Sequence, residues 1–181
     1  MSVARVLVDT NVFLSARSPR EPGHASSRRL LDVIDDGGIA ALVSVITLAD
    51  ELRAGFPSAQ LPALWTPFMS HLRASPGYVI APVDEPIALA AGELREPTRL
   101  SLPDALLLAT AGLRGAACVA TWDQDLRRAR TTVPSRRPDD IQVEWDRTSG
   151  ARRPLSADRG GRPRPGSGSR TATAARPSSG G

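Results

Sequence analysis

The chain has 181 residues, 41% apolar, 23% charged and 4% aromatic, enough for one domain with a true core and an extension. All 23 cationic residues are arginine, which excludes the P-loop lysine, the kinase strand lysine and Schiff-base or PLP chemistry, while one cysteine and two isolated histidines, His24 and His71, exclude an internal disulfide and a zinc or facial-triad set. The net charge of +4 is uneven: residues 151–181 carry seven arginines and one acid, residues 1–150 carry 16 arginines and 18 acids, so the part able to fold is mildly acidic.

VARVLV (3–8) is a continuous apolar run, read as a strand that stops at Asp9. Residues 24–36 read as a helix with Leu30, Leu31 and Ile34 on one face, ended by Asp35, Asp36, Gly37 and Gly38. IAALVSV (39–45) is a second strand, and TLADELRAG (47–55) a short helix with Thr47 as its N-cap. Residues 60–73 form a helix with a wide stripe of Leu61, Leu64, Trp65, Phe68, Met69 and Leu72, and with Pro67 inside as a candidate kink. That stripe reads as core and homodimer packing or, in part, as a groove for a partner helix. YVIAPV (78–83) is a third strand, after which Asp84 or Glu85 precedes Pro86 and a helix running to about Glu96. SLPDALLLATAGLRG (101–115) is a very apolar helix, AACVAT (116–121) a fourth strand, and IQVEW (141–145) a short fifth. Apolar strands alternating with helices predict an α/β fold, a parallel sheet of four to five strands covered on both faces. Residues 1–147 are then the folded domain, and residues 148–181, rich in Arg, Pro, Gly and Ser, a disordered tail that either binds RNA through its arginines or is a plain linker. No apolar run reaches about 18 residues and no cleavable leader opens the chain, which predicts a soluble, cytoplasmic protein.

Four acids share one property under this topology. Asp9 ends the first strand, Glu51 lies a turn into the helix after the second, Asp123 follows the fourth, and Asp104 stands in the first turn of the helix leading into the fourth. All four map to the carboxyl edge of the sheet, where open α/β sheets build their sites. Each also has a plainer reading: Asp104 completes a capping box with Ser101, Asp9 is a turn residue, Asp50 rather than Glu51 pairs with Thr47, and Asp125 competes with Asp123. Four carboxylates brought together repel by roughly 4 kcal/mol per pair about 4 Å apart at an effective dielectric near 20, so a cation is called for. All-oxygen ligands suit Mg²⁺ or Mn²⁺, and such a site suits phosphodiester hydrolysis. Trp122, beside these acids, either stacks on an unpaired base or packs half-buried, and Cys118 reads as an inert core thiol.

The segments VLVDTNVFLS (6–15), SVITLADEL (44–52), SLPDALLLATAGLRGA (101–116) and VATWDQDL (119–126) resemble the four acidic motifs of PIN-domain ribonucleases, and are most similar to the VapC-type toxins of type II toxin–antitoxin pairs. The resemblance spans about residues 3–126. It implies a PIN-like, Rossmann-like sheet, Mg²⁺- or Mn²⁺-dependent endoribonuclease activity on RNA, and a neutralising antitoxin. Carried across by motif, the metal-binding and catalytic acids are Asp9, Glu51, Asp104 and Asp123. Asn11 braces Asp9, and Thr121 offers a hydroxyl at the edge of the site. A stand-alone PIN nuclease of RNA processing and a catalytically inert PIN-like binding module are the alternatives. The chain departs from the family's pattern in the extra residue of Ala49-Asp50-Glu51-Leu52, in Trp122, and in the long tail.

Overall fold

The computed structural model describes residues 5–49 and 61–148. Among them, β1 (Arg5–Val8), β2 (Ala40–Ser44), β3 (Tyr78–Ala81), β4 (Cys118–Ala120) and β5 (Ser135–Arg136) form one sheet in the order β3-β2-β1-β4-β5. Every neighbouring pair is parallel, with Val6 of β1 level with Ala41 on one side and Cys118 on the other. The helices are α1 (Thr10–Arg17), α2 (His24–Asp35), α3 (Val45–Ala49), α4 (Leu61–Ala74), α5 (Glu85–Thr98), α6 (Leu102–Leu113), α7 (Gln124–Arg128) and α8 (Pro138–Thr148).

Alternate residues of each central strand feed two cores, as the two-residue period of a strand requires. Val6, Val8, Ala41, Val43, Cys118 and Ala120 point to one face, where α1, α2, α4 and α8 cover them with Val12, Leu30, Ile34, Leu72 and Ile141. Leu7, Leu42 and Val119 point to the other and meet Leu107, Leu108 and Ala111 of α6 and Leu126 of α7. Helix α5 backs α6 through Ile87, Ala91, Ala105 and Ala109, the three alanines letting the two helices approach closely around the buried Ile87. Leu7, Leu30, Ile34 and Leu42 are exposed by 2% or less, each burial being worth about 1.5–3 kcal/mol. Both faces of the sheet are therefore sealed, and the site must lie at an edge.

Local signals set the element ends. Asp84 caps α5 by accepting the Ile87 N–H at 3.3 Å, with Pro86 in the first turn. Gly37, at φ +75°, follows the C-cap Asp36 and takes the left-handed conformation that ends α2. The sheet order reverses between β1 and β4: the chain lays β2 and β3 on one side of β1 and then crosses to lay β4 on the other. That switch point opens a crevice at the carboxyl ends of β1 and β4.

Three expectations change. IQVEW (141–145) is not a strand but part of α8, and the fifth strand is the short Ser135–Arg136. Its alternation of apolar and polar residues mimics a strand, yet Pro138, Asp139 and Asp140 are helix-opening residues. Ile141 and Trp145, four apart, pack on the core, while Val143, which a strand would place beside them, is 48% exposed. Thr47 is not an N-cap: α3 already begins at Val45, and Ser44 accepts the Ile46 N–H at 3.3 Å. Helices α1 and α7, absent from the sequence reading, start directly at Asp9 and Asp123, which serve as their N-caps. Of the apolar stripe, Met69 and Leu72 are buried, and Trp65 and Phe68 pack against the core, Phe13 meeting Phe68 edge-on at 5.6 Å. The side chains of Leu61 and Leu64, and all of residues 149–181, lie outside the described residues. No helix among the described residues is long and apolar enough to cross a membrane.

Candidate active site

The crevice at the switch point is a cavity of about 200 Å³ walled by Asp9, Asp104 and Asp123 together with Asn11, Thr47 and Ser101. Asp9 is at its base. Its backbone N–H donates to Ala120 O at 3.1 Å, which ties the end of β1 to the end of β4. Its Oδ1 accepts the Thr10 N–H at 2.7 Å, and its Oδ2 accepts from Asn11 Nδ2 at 2.7 Å and from Thr121 Oγ1 at 2.6 Å. Asn11 is locked in turn: its Oδ1 accepts the Trp122 N–H at 3.0 Å, and its Nδ2 also reaches Thr121 Oγ1 at 3.1 Å. A backbone N–H can only donate, so the orientation of the Asn11 amide is fixed by its surroundings.

Thr121 is fully buried and its hydroxyl is fully used. It donates its one proton to Asp9 and accepts from Asn11 and from the Asp123 N–H at 2.9 Å. It is therefore an internal strut between two acids rather than a hydroxyl presented at the rim. Asp123 caps α7, its Oδ1 accepting from Asp125 N at 2.6 Å and Leu126 N at 2.9 Å. Asp125, its sequence rival, is absent from the cavity wall and lies on the exposed side of α7, 3.9 Å from Arg128.

Asp104 enters from a different element, the first turn of α6. Ser101 caps α6 and accepts the Asp104 N–H at 3.3 Å, while its hydroxyl donates to Asp104 Oδ2 at 2.6 Å. The capping box expected from the sequence and the place at the cavity thus coexist in one side chain. Glu51 and Asp50 lie outside the described residues.

The electrostatics of the cavity centre on Asp9. Burial pushes its carboxyl up to about 6 from an ordinary 3.8; the Thr121 and Thr10 hydrogen bonds pull it back, and the charges of Asp104 and Asp123 push it up again. The buried Asp9 carboxyl therefore feels the charges of both Asp104 and Asp123. Among the described residues no three acidic, histidine or cysteine side chains stand close enough to chelate one ion outright. The donor set nonetheless fits a hard divalent cation, since every polar group facing the cavity from these acids is an oxygen and a cation would offset the cost held by Asp9.

Thr47 was missed as a site residue. It is 2% exposed, it lines the cavity, and its Oγ1 finds no hydrogen-bond partner. The signal available in the sequence was its place within one turn of the carboxyl end of β2, at the same sheet edge as the acids. Cys118 is buried in β4, a free thiol whose pKa burial raises to about 11, and it takes no part in the site.

No curated protein sequence matches the chain significantly. Solved structures do resemble it. A toxin–antitoxin complex from Klebsiella pneumoniae contains a chain 23% identical, with a TM-score of 0.53, covering 74% of this chain and 97% of that one. The VapBC2 complex of Rickettsia felis, bound to a DNA fragment from its promoter, gives 19% identity and a TM-score of 0.56 over 74% of this chain and 98% of that one. VapC20 of Mycobacterium tuberculosis, a sarcin-ricin loop cleaving toxin, gives 18% identity and a TM-score of 0.51 over 66% and 91%. At these identities the likeness establishes a shared fold. The model of the PIN domain family matches residues 6–131, well over half of the sequence and all of the sheet edge just described except its last strand; the chain belongs to the PIN domain family.

Proposed function

We propose that this chain is a Mg²⁺- or Mn²⁺-dependent endoribonuclease, and that it is the toxin of a type II toxin–antitoxin pair. The observation that carries the reading is the convergence of Asp9, Asp104 and Asp123 on one cavity at the switch point, with the charge of Asp9 held back by burial. Asp9, Asp104 and Asp123, joined by Glu51, would hold the ion. A bound divalent ion there supplies charge neutralisation at a phosphodiester and a water acidified towards neutral pH. The chain's own residues do the rest. Asn11 and Thr121 keep Asp9 in one rotamer, so that its carboxylate needs no reorganisation when charge develops. The Thr121 hydroxyl donates to the Asp9 carboxylate and accepts from the Asp123 backbone N–H, so it anchors the start of α7 beside Asp9. Ser101 aims Asp104 from the start of α6.

The toxin assignment draws on the kind of complex in which two of the similar folds were solved, both of them toxin–antitoxin assemblies. The antitoxin, a homodimer and a cytoplasmic setting belong to the same reading, as does a folded domain over residues 1–147 with an independent tail over 148–181. The test is cleavage of total RNA by the purified chain, with the new ends sequenced. The reading predicts discrete cuts that vanish in EDTA and return with Mg²⁺ or Mn²⁺. It also predicts growth arrest on expression, relieved by a small neighbouring gene. Equal cleavage in EDTA would overturn the metal mechanism, and metal binding without cleavage would favour an inert binding module.

A further inference from the structure

A second cavity, of about 680 Å³, adjoins the acidic one, and Asn11 lines both. Its walls include Trp122, Arg137, Arg127, Gly23 and Ser15, with Glu21 as the one acid among them. Trp122 is unusually fixed for a half-exposed aromatic. Its Nε1 donates to Ser27 Oγ at 2.8 Å, its backbone N–H is held by Asn11, and the Arg137 guanidinium lies 5.0 Å from the ring centroid. Gly23 packs so closely against the indole that an added Cβ would overlap the ring. Arg137 is steadied in its turn by Asp139 at 3.0 Å. Ser15, 7% exposed, also lines the cavity, and its buried Oγ finds no hydrogen-bond partner.

We propose that this cavity is a subsite for one unpaired base of a single-stranded RNA, seated against the Trp122–Arg137 wall while the neighbouring phosphate faces the acidic cavity. The inference rests on the reading of the chain as an RNA-cleaving enzyme and names which part of the RNA the chain grips. Arginine planes and aromatic faces are the surfaces on which splayed-out bases stack. A pre-fixed wall loses little freedom on binding. The shared Asn11 places the base one step from the phosphate to be cut. A duplex keeps its bases stacked and paired and has none to offer.

The test uses the full-length Asp9→Asn protein, which does not turn RNA over on this account, and fluorescein-labelled single-stranded decamers of A, U or C beside a decamer duplex. Single strands should bind more tightly than the duplex. Arg137→Gln should weaken single-strand binding by about 5- to 100-fold, the range seen when one base-stacking contact is removed. It should leave duplex binding within about 3-fold and melting nearly unchanged, since Arg137 is an exposed surface pair. Trp122→Phe, which retains an aromatic face and the fold, should weaken single-strand binding less. On an otherwise wild-type chain, Arg137→Gln should blur the base preference next to the cut. Unchanged single-strand binding in both variants overturns the inference, as does an equal loss for duplex and single strand, which would mark plain charge attraction. Loss of only a co-expressed antitoxin's association would mark a protein-docking groove and overturn it too. The two readings separate cleanly: an Arg137-dependent single-strand preference without metal-dependent cleavage sinks the nuclease and spares the subsite, and metal-dependent cleavage with intact Arg137→Gln binding does the reverse.

Discussion

The two walls of the acidic cavity are built in opposite ways. The strand-end wall, from β1 and β4, joins Asp9, Asn11, Thr121 and the Asp123 backbone in one hydrogen-bond network around the buried Thr121, with three of its bonds linking residues 110 to 112 apart in sequence. The helix wall, from α3 and α6, holds Asp104 by a single local capping box with Ser101 three residues away, and leaves the Thr47 hydroxyl unpartnered. The Asp9 carboxylate cannot move without breaking three hydrogen bonds at once, whereas the Asp123 carboxylate is held by the cap of its own helix. A carboxylate on the second wall is set by one turn of helix. Rigidity at the strand ends and latitude at the helix start is what a site needs when one acid must be held fixed and others must adjust to an arriving ion.

The largest effect should come from the centre of the rigid wall. Asp9→Asn is expected to lower cleavage by more than about 100-fold, beyond the 10- to 100-fold usual for a residue that only supports a ligand. Fluorogenic oligoribonucleotide turnover in limiting Mg²⁺ measures it. The fold should survive, and here pH gives an independent check. Burial holds the Asp9 pKa at about 6 against 3.8 for the ordinary group, so between these values the folded metal-free protein keeps a proton that the unfolded chain releases. Its contribution to stability is complete below about pH 4 and is lost as pH rises through 6. The melting temperature of Asp9→Asn relative to wild type, both in EDTA, should therefore climb between pH 4 and pH 8. A flat difference would mean that Asp9 is not the desolvated group described.

Thr121→Val comes next. It keeps the shape but removes the strut, leaving Asp9 Oδ2 and the Asp123 N–H each short of a partner. Cleavage should drop about 10- to 100-fold, and stability by about 1–3 kcal/mol by chemical denaturation. If only stability moves, the network is a folding device and the contrast between the walls says nothing about catalysis. Ser101→Ala, on the looser wall, should cost about 1 kcal/mol, the usual size of a lost cap, with cleavage within about 3-fold of wild type.

Much of this contrast was legible in the sequence, and the parts that were not have identifiable causes. Apolar runs alternating with helices imply parallel strands, and parallel strands share one carboxyl edge, so the sequence already groups Asp9, Asp104 and Asp123 there, although it does not give the strand order β3-β2-β1-β4-β5. The capping box at Ser101 and Asp104 is local and was readable as such. The Thr121 strut was not, because a threonine closing a strand carries no mark of the carboxylate it will meet 112 residues away. IQVEW misled because five residues of alternating pattern fit a strand as well as a helix, and the decision lay in Pro138 and the two aspartates ahead of it. Thr47 misled because a threonine before an apolar stretch is the ordinary sign of a cap, whereas Ser44 had already taken that role.

The smallest expected effect belongs to Thr47→Val. The hydroxyl is buried without a partner in the metal-free protein, so a side chain of the same shape should leave stability unchanged or raise it by up to about 1 kcal/mol. A loss of more than that would reveal a partner for the hydroxyl and make the helix wall as tightly bonded as its opposite.

The central question is whether the acidic cavity holds a divalent ion through Asp9. Calorimetric titration of Mn²⁺ into the wild-type chain and into Asp9→Asn addresses it without reference to any substrate. Binding to wild type should saturate and should weaken as pH falls below about 6, where protons compete for Asp9, and Asp9→Asn should lose that binding at every pH. Equal binding by the two proteins, or none by wild type at pH 8, would contradict that role of Asp9.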